Sequence, residues 1–253
     1  MQLNLANKSV LVTGSSRGIG RAIAESFLAE GCKVAFNGRN PDQLEQAIAD
    51  IRGDNVIAVA GDASQPTEAQ AMLDQVLKAF GKLDILVCNV GSGRSVPPGQ
   101  EDLDEWRRVF ELNLWSATTM VETCRQALAR TQGAIVCVSS ICGQEVVPGA
   151  PVTYSAAKAA LNAYVRGSAR PLGKLGIRIN AIAPGNILFE GSVWDRKLNE
   201  DAASVAGILE RDVALARLGT PQDVANLAIW LASPAANFTT GSIFVTDGGQ
   251  VRS

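Results

Sequence analysis

The chain has 253 residues, 47% of them hydrophobic and 19% charged, with a net charge of −2 and a pI near 5.3. These values suit a folded globular protein and exclude a disordered chain; the weak acidity gives no basic footprint for nucleic acid, and no run of about 18 apolar residues exists to form a membrane-spanning helix. Histidine is absent, and Cys32, Cys88, Cys124, Cys137 and Cys142 show no C-x-x-C pairing, so no metal centre is expected.

The N-terminal MQLNLANKSVLV lacks the basic, apolar and small-residue order of a secretory signal, which points to the cytoplasm and to reduced, mostly buried thiols. Cys142, close after Ser139 and Ser140, is the thiol expected nearest a site.

In chain order, β-branched runs begin at Lys8 (KSVLVT), Lys33 (KVAFN), Asn55 (NVIAVA), Lys82 (KLDILVC), Gly133 (GAIVCVS), Ile177 (IRINAIA) and Ser242 (SIFVT). Stretches of helical period separate them. This alternation predicts an α/β fold: one Rossmann-type, doubly wound, seven-stranded parallel sheet with helices on both faces, filling residues 1–253 as a single domain. Asn40 before Pro41 and Thr220 before Pro221 mark helix starts, because proline at the first helical position lacks only an N–H that would have no partner there. No strand is legible over 186–219, and a segment of that length is expected to be a substrate lid.

After the first strand comes TGSSRGIG, with Gly14, Gly18 and Gly20 preceding a helix. Glycines there let the backbone approach a pyrophosphate, whose charge meets the free N–H groups of the helix start. Downstream, YSAAK sets Lys158 four residues after Tyr154, on one helix face. A free tyrosine titrates near about 10, and a neighbouring ammonium is expected to lower that by about 1 to 3, which makes the phenol a proton handler in a chain without histidine.

The glycine spacing and YSAAK together resemble the short-chain dehydrogenase/reductase family over essentially the whole chain, most like its 3-oxoacyl-acyl-carrier-protein reductase type. Asp62, CNVG at 88–91, Asn113, VSSICG at 138–143, IAPG at 182–185 and TDGG at 246–249 match in order. The resemblance implies a catalytic set of Asn113, Ser140, Tyr154 and Lys158. Ser140, preferred to Ser139, would bond the substrate carbonyl, and Asn113 would hold a water or a backbone turn. Lys158 would also bond the nicotinamide ribose.

For the dinucleotide, the resemblance implies Gly14, Ser16, Arg17, Gly18, Ile19, Gly20, Arg39, Asp62, Ala63, Asn89, Gly91, Pro184, Gly185 and Ile187, together with Tyr154 and Lys158. No acid occurs over 35–40, where NAD-binding folds carry one for the ribose, and Arg39 and Arg17 stand where a 2′-phosphate would be met; NADP(H) is therefore the expected cofactor. Substrate contacts are expected from Ser140, Phe189 and Trp194. The implied reaction is NADPH-dependent reduction of a ketone or 3-oxoacyl thioester. An NAD-linked alcohol dehydrogenase, or a dinucleotide sensor without catalysis, is the alternative.

The family generally assembles as tetramers, so a homotetramer is expected. An acyl carrier protein would need a basic patch, for which Arg166, Arg170 and Lys174 are available, though a solvated helix face accounts for them as well. Three departures from the family stand out: Cys88 and Val90 in CNVG, Leu188 and Phe189 where the family often has a threonine, and Pro171 late in the Tyr154 helix, where a kink or early end is expected.

Overall fold

The computed structural model describes residues 2–49, 51 and 53–251. Seven strands form one parallel sheet: β1 (Ser9–Val12), β2 (Lys33–Gly38), β3 (Val56–Ala60), β4 (Ile85–Cys88), β5 (Ala134–Val138), β6 (Arg178–Pro184) and β7 (Ile243–Thr246), in the order β3-β2-β1-β4-β5-β6-β7. The order reverses between β1 and β4, which pair through Val10 with Ile85 and Val12 with Val87. At such a reversal the connections leave to opposite faces and open a crevice beyond the carboxyl ends of the strands.

Successive strand residues face opposite layers. Leu11, Leu86 and Ile135 join one core, while Val10, Val12, Val87 and Val136 join the other. The first core is covered by α3 (Pro66–Phe80), α5 (Ser116–Thr131) and α6 (Val152–Gly173); the second by α1 (Gly18–Ala29), α2 (Pro41–Ile48) and α9 (Pro221–Ala232). Burial on both sides explains why these strands read as continuous apolar runs.

The expected helix starts hold. Asn40 accepts from the Gln43 N–H at 3.1 Å, and Thr220 with Asp223 forms a reciprocal cap at the start of α9. Pro171 lies inside α6, which runs only two residues further, to Gly173; the proline falls in the last turn, where the one missing N–H bond is tolerated.

Between β6 and β7 the chain leaves the sheet at Ile187 and returns at Gly219. Those two residues form an isolated parallel bridge, with the Leu188 N–H donating to the Gly219 carbonyl at 2.8 Å and the Gly219 N–H to the Asn186 carbonyl at 2.9 Å. The excursion thus closed holds α7 (Val193–Glu200) and α8 (Ala202–Asp212). The remaining helix, α4 (Leu103–Phe110), continues into a π-helical turn, Glu111–Trp115, that leads into α5. No helix among the described residues is long and apolar enough to cross a membrane.

Candidate active site

The glycine turn between β1 and α1 is built by close approach. A Cβ on Gly20 would come within 2.4 Å of both the Gly14 carbonyl oxygen and Asn89 Nδ2, so the start of α1 packs directly on the turn. Gly14 and Gly18 have φ of +62° and +58°, backbone that side chains rarely adopt. Two asparagines, Asn37 buried and Asn89 half-buried, hold the turn from either side. Asn37, at the end of β2, accepts from the Gly14 N–H at 3.1 Å, and Asn89 donates to the carbonyls of Thr13 and Gly14 at 3.0 and 2.9 Å.

Arg17 is the N-cap of α1 and provides no capping side chain, so the first N–H groups of the helix have no side-chain acceptor. That is the seat an anion would take. The ring of Phe189 lies against it: a Cβ on Gly18 would meet Phe189 Cε2 at 2.6 Å. The family's threonine position therefore carries an aromatic ring packed on the glycine turn.

Across the crevice, α6 presents Tyr154 and Lys158 on one face. Gly143 allows this, since a Cβ there would lie 2.6 Å from the backbone of Lys158; its absence lets the 3₁₀ turn Ile141–Gly143 sit flat on the helix and carries Ser140 alongside. Ser139 turns away, donating to Asn162 Oδ1 at 2.6 Å, whereas the Ser140 hydroxyl accepts from the Cys142 N–H at 3.2 Å and bonds the Tyr154 phenol. Asn113, buried in the π-helical turn, accepts from the Ser92 N–H at 2.9 Å and donates to the carbonyls of Ser92 and Val109 at 3.2 and 3.0 Å. It clamps the loop after β4, where a Cβ on Gly91 would meet Asn113 Oδ1 at 2.9 Å and Lys158 Nζ at 3.0 Å.

The electrostatics correct the sequence expectation. Burial pushes the Tyr154 phenol up to about 12, against the smaller opposing effect of the Ser140 hydrogen bond. Lys158 is 3% exposed, its Nζ donates to the Val138 carbonyl at 2.9 Å, and burial lowers it to about 8. Lys158 Nζ stands 5.9 Å from the Tyr154 ring centroid, and in the folded chain desolvation outweighs any acidifying effect of the ammonium.

Gly14, Arg17, Ile19, Gly20, Asn89, Gly91, Ser140, Tyr154, Lys158, Pro184, Gly185 and Ile187 all line one cleft of about 710 Å³, with Phe189 and Trp194 on its lid side. Ser16, Gly18, Arg39, Asp62 and Ala63 are not part of its lining. Arg39 is exposed and makes a 3.6 Å ion pair with Asp62, which also accepts from the Ser64 N–H and hydroxyl. The two arginines do not converge: Arg17 Nη1 lies 3.1 Å from where a Cβ of Gly191 would stand, on the lid loop. Of the five thiols only Cys142 reaches the cleft, and burial raises its pKa. No cluster of metal-ligating side chains occurs among the described residues.

Sequence reasoning missed Asn37 and Asn162. Each is a buried polar side chain in an otherwise apolar stretch, VAFN and ALNAY, and that mismatch is the available signal.

A doubly wound sheet with a glycine turn at its crevice, facing a serine, tyrosine and lysine, defines a dinucleotide-dependent oxidoreductase. The chain belongs to the short-chain dehydrogenase/reductase family; residues 14–250 match the family described as enoyl-(acyl carrier protein) reductase. It is 37% identical over 252 residues to L-rhamnose 1-dehydrogenase (NAD(P)(+)) of Sphingomonas sp. (strain SKA58), covering 97% of each chain. To the 3-oxoacyl-acyl-carrier-protein reductase of Escherichia coli (strain K12) it is 35% identical over 249 residues, covering 98% of this chain and 99% of that one. L-Sorbose reductase from Gluconobacter frateurii, solved with NADPH and L-sorbose, superposes with a TM-score of 0.92 at 29% identity over 100% of both chains.

Proposed function

We propose that this oxidoreductase reduces a ketone or 3-oxoacyl group to a secondary alcohol with NADPH, Tyr154 acting as general acid. The observation that carries the reading is the meeting of Ser140, Tyr154 and Lys158 in the same cleft as the glycine turn. When bound, the dinucleotide supplies the hydride. The turn at Gly14, Gly18 and Gly20 and the uncapped start of α1 fit its pyrophosphate, Lys158 fits its ribose hydroxyls, and the segment from Pro184 to Ile187 borders its nicotinamide end. Ser140 orients the carbonyl oxygen toward the phenol, and Tyr154 gives that oxygen its proton. A phenol held near 12 is protonated at neutral pH, which suits the reductive direction. Asn113 acts by clamping the loop at Ser92 that walls this side of the cleft.

The choice of NADP(H) rests on the lack of an acid over 35–40 and on Arg39, whose guanidinium is exposed beside Asp62 at the expected adenosine end. Ser16 and Ala63 complete that end. The segment 186–219 acts as the lid, with Phe189 and Trp194 toward the substrate. A homotetramer in the cytoplasm is the proposed state; half-exposed Trp115, in the Asn113 turn, and exposed Leu103, at the start of α4, supply apolar surface for association. Docking of an acyl carrier protein would fall on Arg166, Arg170 and Lys174, all exposed on or just beyond α6.

The test is a panel of ketones and 3-oxoacyl thioesters assayed with NADPH and NADH, on the parent and on Arg39→Asp. Turnover favouring NADPH, with the preference cut about ten-fold by the substitution, supports the reading. No turnover of any carbonyl, or an unchanged cofactor preference, sinks its reductive or its NADP part respectively. Light scattering at assay concentration checks the tetramer.

A further inference from the structure

We propose that the carbonyl compound taken by this cleft carries an anion, a carboxylate or a group of like charge, at the end remote from the ketone, held between Arg94 on one wall and Lys197 on the other. The proposal deepens the reductase reading and rests on it.

Arg94 belongs to the loop that follows β4. Its neighbour Gly93 abuts the catalytic tyrosine, since a Cβ on Gly93 would stand 3.8 Å from Tyr154 Cε1. The backbone of Arg94 is braced at both ends: its N–H donates to the Ser92 hydroxyl at 3.2 Å, and its carbonyl accepts from Arg108 Nη2 at 3.1 Å. The acid beside this loop, Glu105, is already engaged, with Arg108 at 2.6 and 2.7 Å and with the Ser95 hydroxyl at 2.6 Å. Arg94 therefore lines the cleft with no carboxylate partner among the described residues.

Lys197 faces the cleft from α7 in the lid. Its Nζ stands 4.6 Å from the ring centroid of Trp194, and the acid of the same helix, Asp195, accepts instead from the Gly191 N–H at 2.8 Å. Arg211 also lines the cleft but is neutralised by Asp212 through two bonds of 3.0 and 2.7 Å. Glu145, the other acid of the rim, has an interaction of its own.

Apart from Arg17 at the glycine turn and Lys158 beside Tyr154, the cations of the lining left without a carboxylate partner among the described residues are thus the Arg94 guanidinium and the Lys197 ammonium. The same lining includes apolar side chains, Val147, Trp194 and Ile208 among them. An apolar chain ending in an anion matches this arrangement, because the charge meets two cations that have no carboxylate partner among the described residues, while the apolar side chains take the chain.

The experiment uses matched ketones: 5-oxohexanoate and 7-oxooctanoate against their primary amides. Each is assayed with NADPH and titrated calorimetrically into the enzyme, with and without NADP⁺. We expect the carboxylate of at least one pair to be favoured about ten-fold or more in kcat/KM, through KM, with the advantage shrinking as salt is raised. Arg94→Gln with Lys197→Gln should bring the ratio toward one, while Arg94→Lys with Lys197→Arg keeps it, separating charge from packing. Equal handling of both members of each pair, or a preference that survives the double glutamine variant, overturns the proposal. If neither member is turned over, calorimetry still decides it: preferential binding of the carboxylate upholds the anion site while the reductase reading is judged on the wider carbonyl panel, and equal binding sinks the anion site.

Discussion

The ammonium of Lys158 donates to the carbonyl oxygen of Val138 at 2.9 Å, with its Nζ 5.9 Å from the centre of the Tyr154 ring. A lysine brought from 10.5 down to about 8 is disfavoured as a cation by about 3 kcal/mol at pH 7. The folded chain releases that proton more readily than the unfolded one, so between about pH 8 and 10.5 the unfolded state binds more protons and stability rises with pH. Denaturant titration of the parent and of Lys158→Met should show the parent gaining about 2 to 3 kcal/mol relative to the variant from pH 7 to pH 10. A gap that stays constant across that range would mean the lysine is not held by burial in this way. The variant should also lose most of its turnover.

In the proposed reduction Tyr154 is the proton donor, and its protonation state governs how each direction responds to pH. With its phenol held near 12 by burial, the acid form is present throughout the neutral range, and carbonyl reduction should be nearly flat between about pH 6 and 8. Oxidation of the product alcohol needs the base form and should still be rising at pH 9. Initial rates in both directions check this; Tyr154→Phe should lower turnover about 100-fold to 10,000-fold while leaving dinucleotide binding, read by fluorescence, within a few-fold.

Asn113 makes three hydrogen bonds, two of them to Ser92. Replacement by alanine leaves a buried N–H and two carbonyls without these partners, a loss of about 2 to 3 kcal/mol in urea unfolding. Because the clamped loop walls the cleft beside Lys158, kcat should fall further than stability alone explains at temperatures where the variant is fully folded. Unchanged kcat in that folded variant would reduce Asn113 to a structural role.

Phe189 covers the start of α1 at Gly18. If the ring must leave before a pyrophosphate can sit there, Phe189→Ala should tighten NADP(H) binding, about three-fold or more by direct titration, because the energy of displacing the ring no longer opposes binding. Weaker binding would show instead that the ring packs on the cofactor rather than in its place.

Much of this site was legible before any coordinates. The class of sheet, parallel and covered by helices on both faces, follows from alternating apolar runs and helices, since each strand buried on both faces needs helical cover above and below; the strand order came from the structure. The TGSSRGIG turn and the YSAAK spacing report local backbone geometry, a positive φ and one helix face, which the sequence determines within a few residues. Asn40 and Thr220 as caps belong to the same short-range class.

Tertiary structure alone decided three things. It placed Phe189 on Gly18, a contact between residues far apart in the chain that no local pattern encodes. It gave the Ser139 hydroxyl to Asn162, a partner that the preference for Ser140 drawn from the resemblance did not supply, with Gly143 seated flat on α6 beside both serines. And it reversed the expected balance at Tyr154. Helical spacing brings a cation near the phenol, but the protonation of both groups depends on how much water the packed chain excludes around them, a property of the whole interior rather than of five residues in a row.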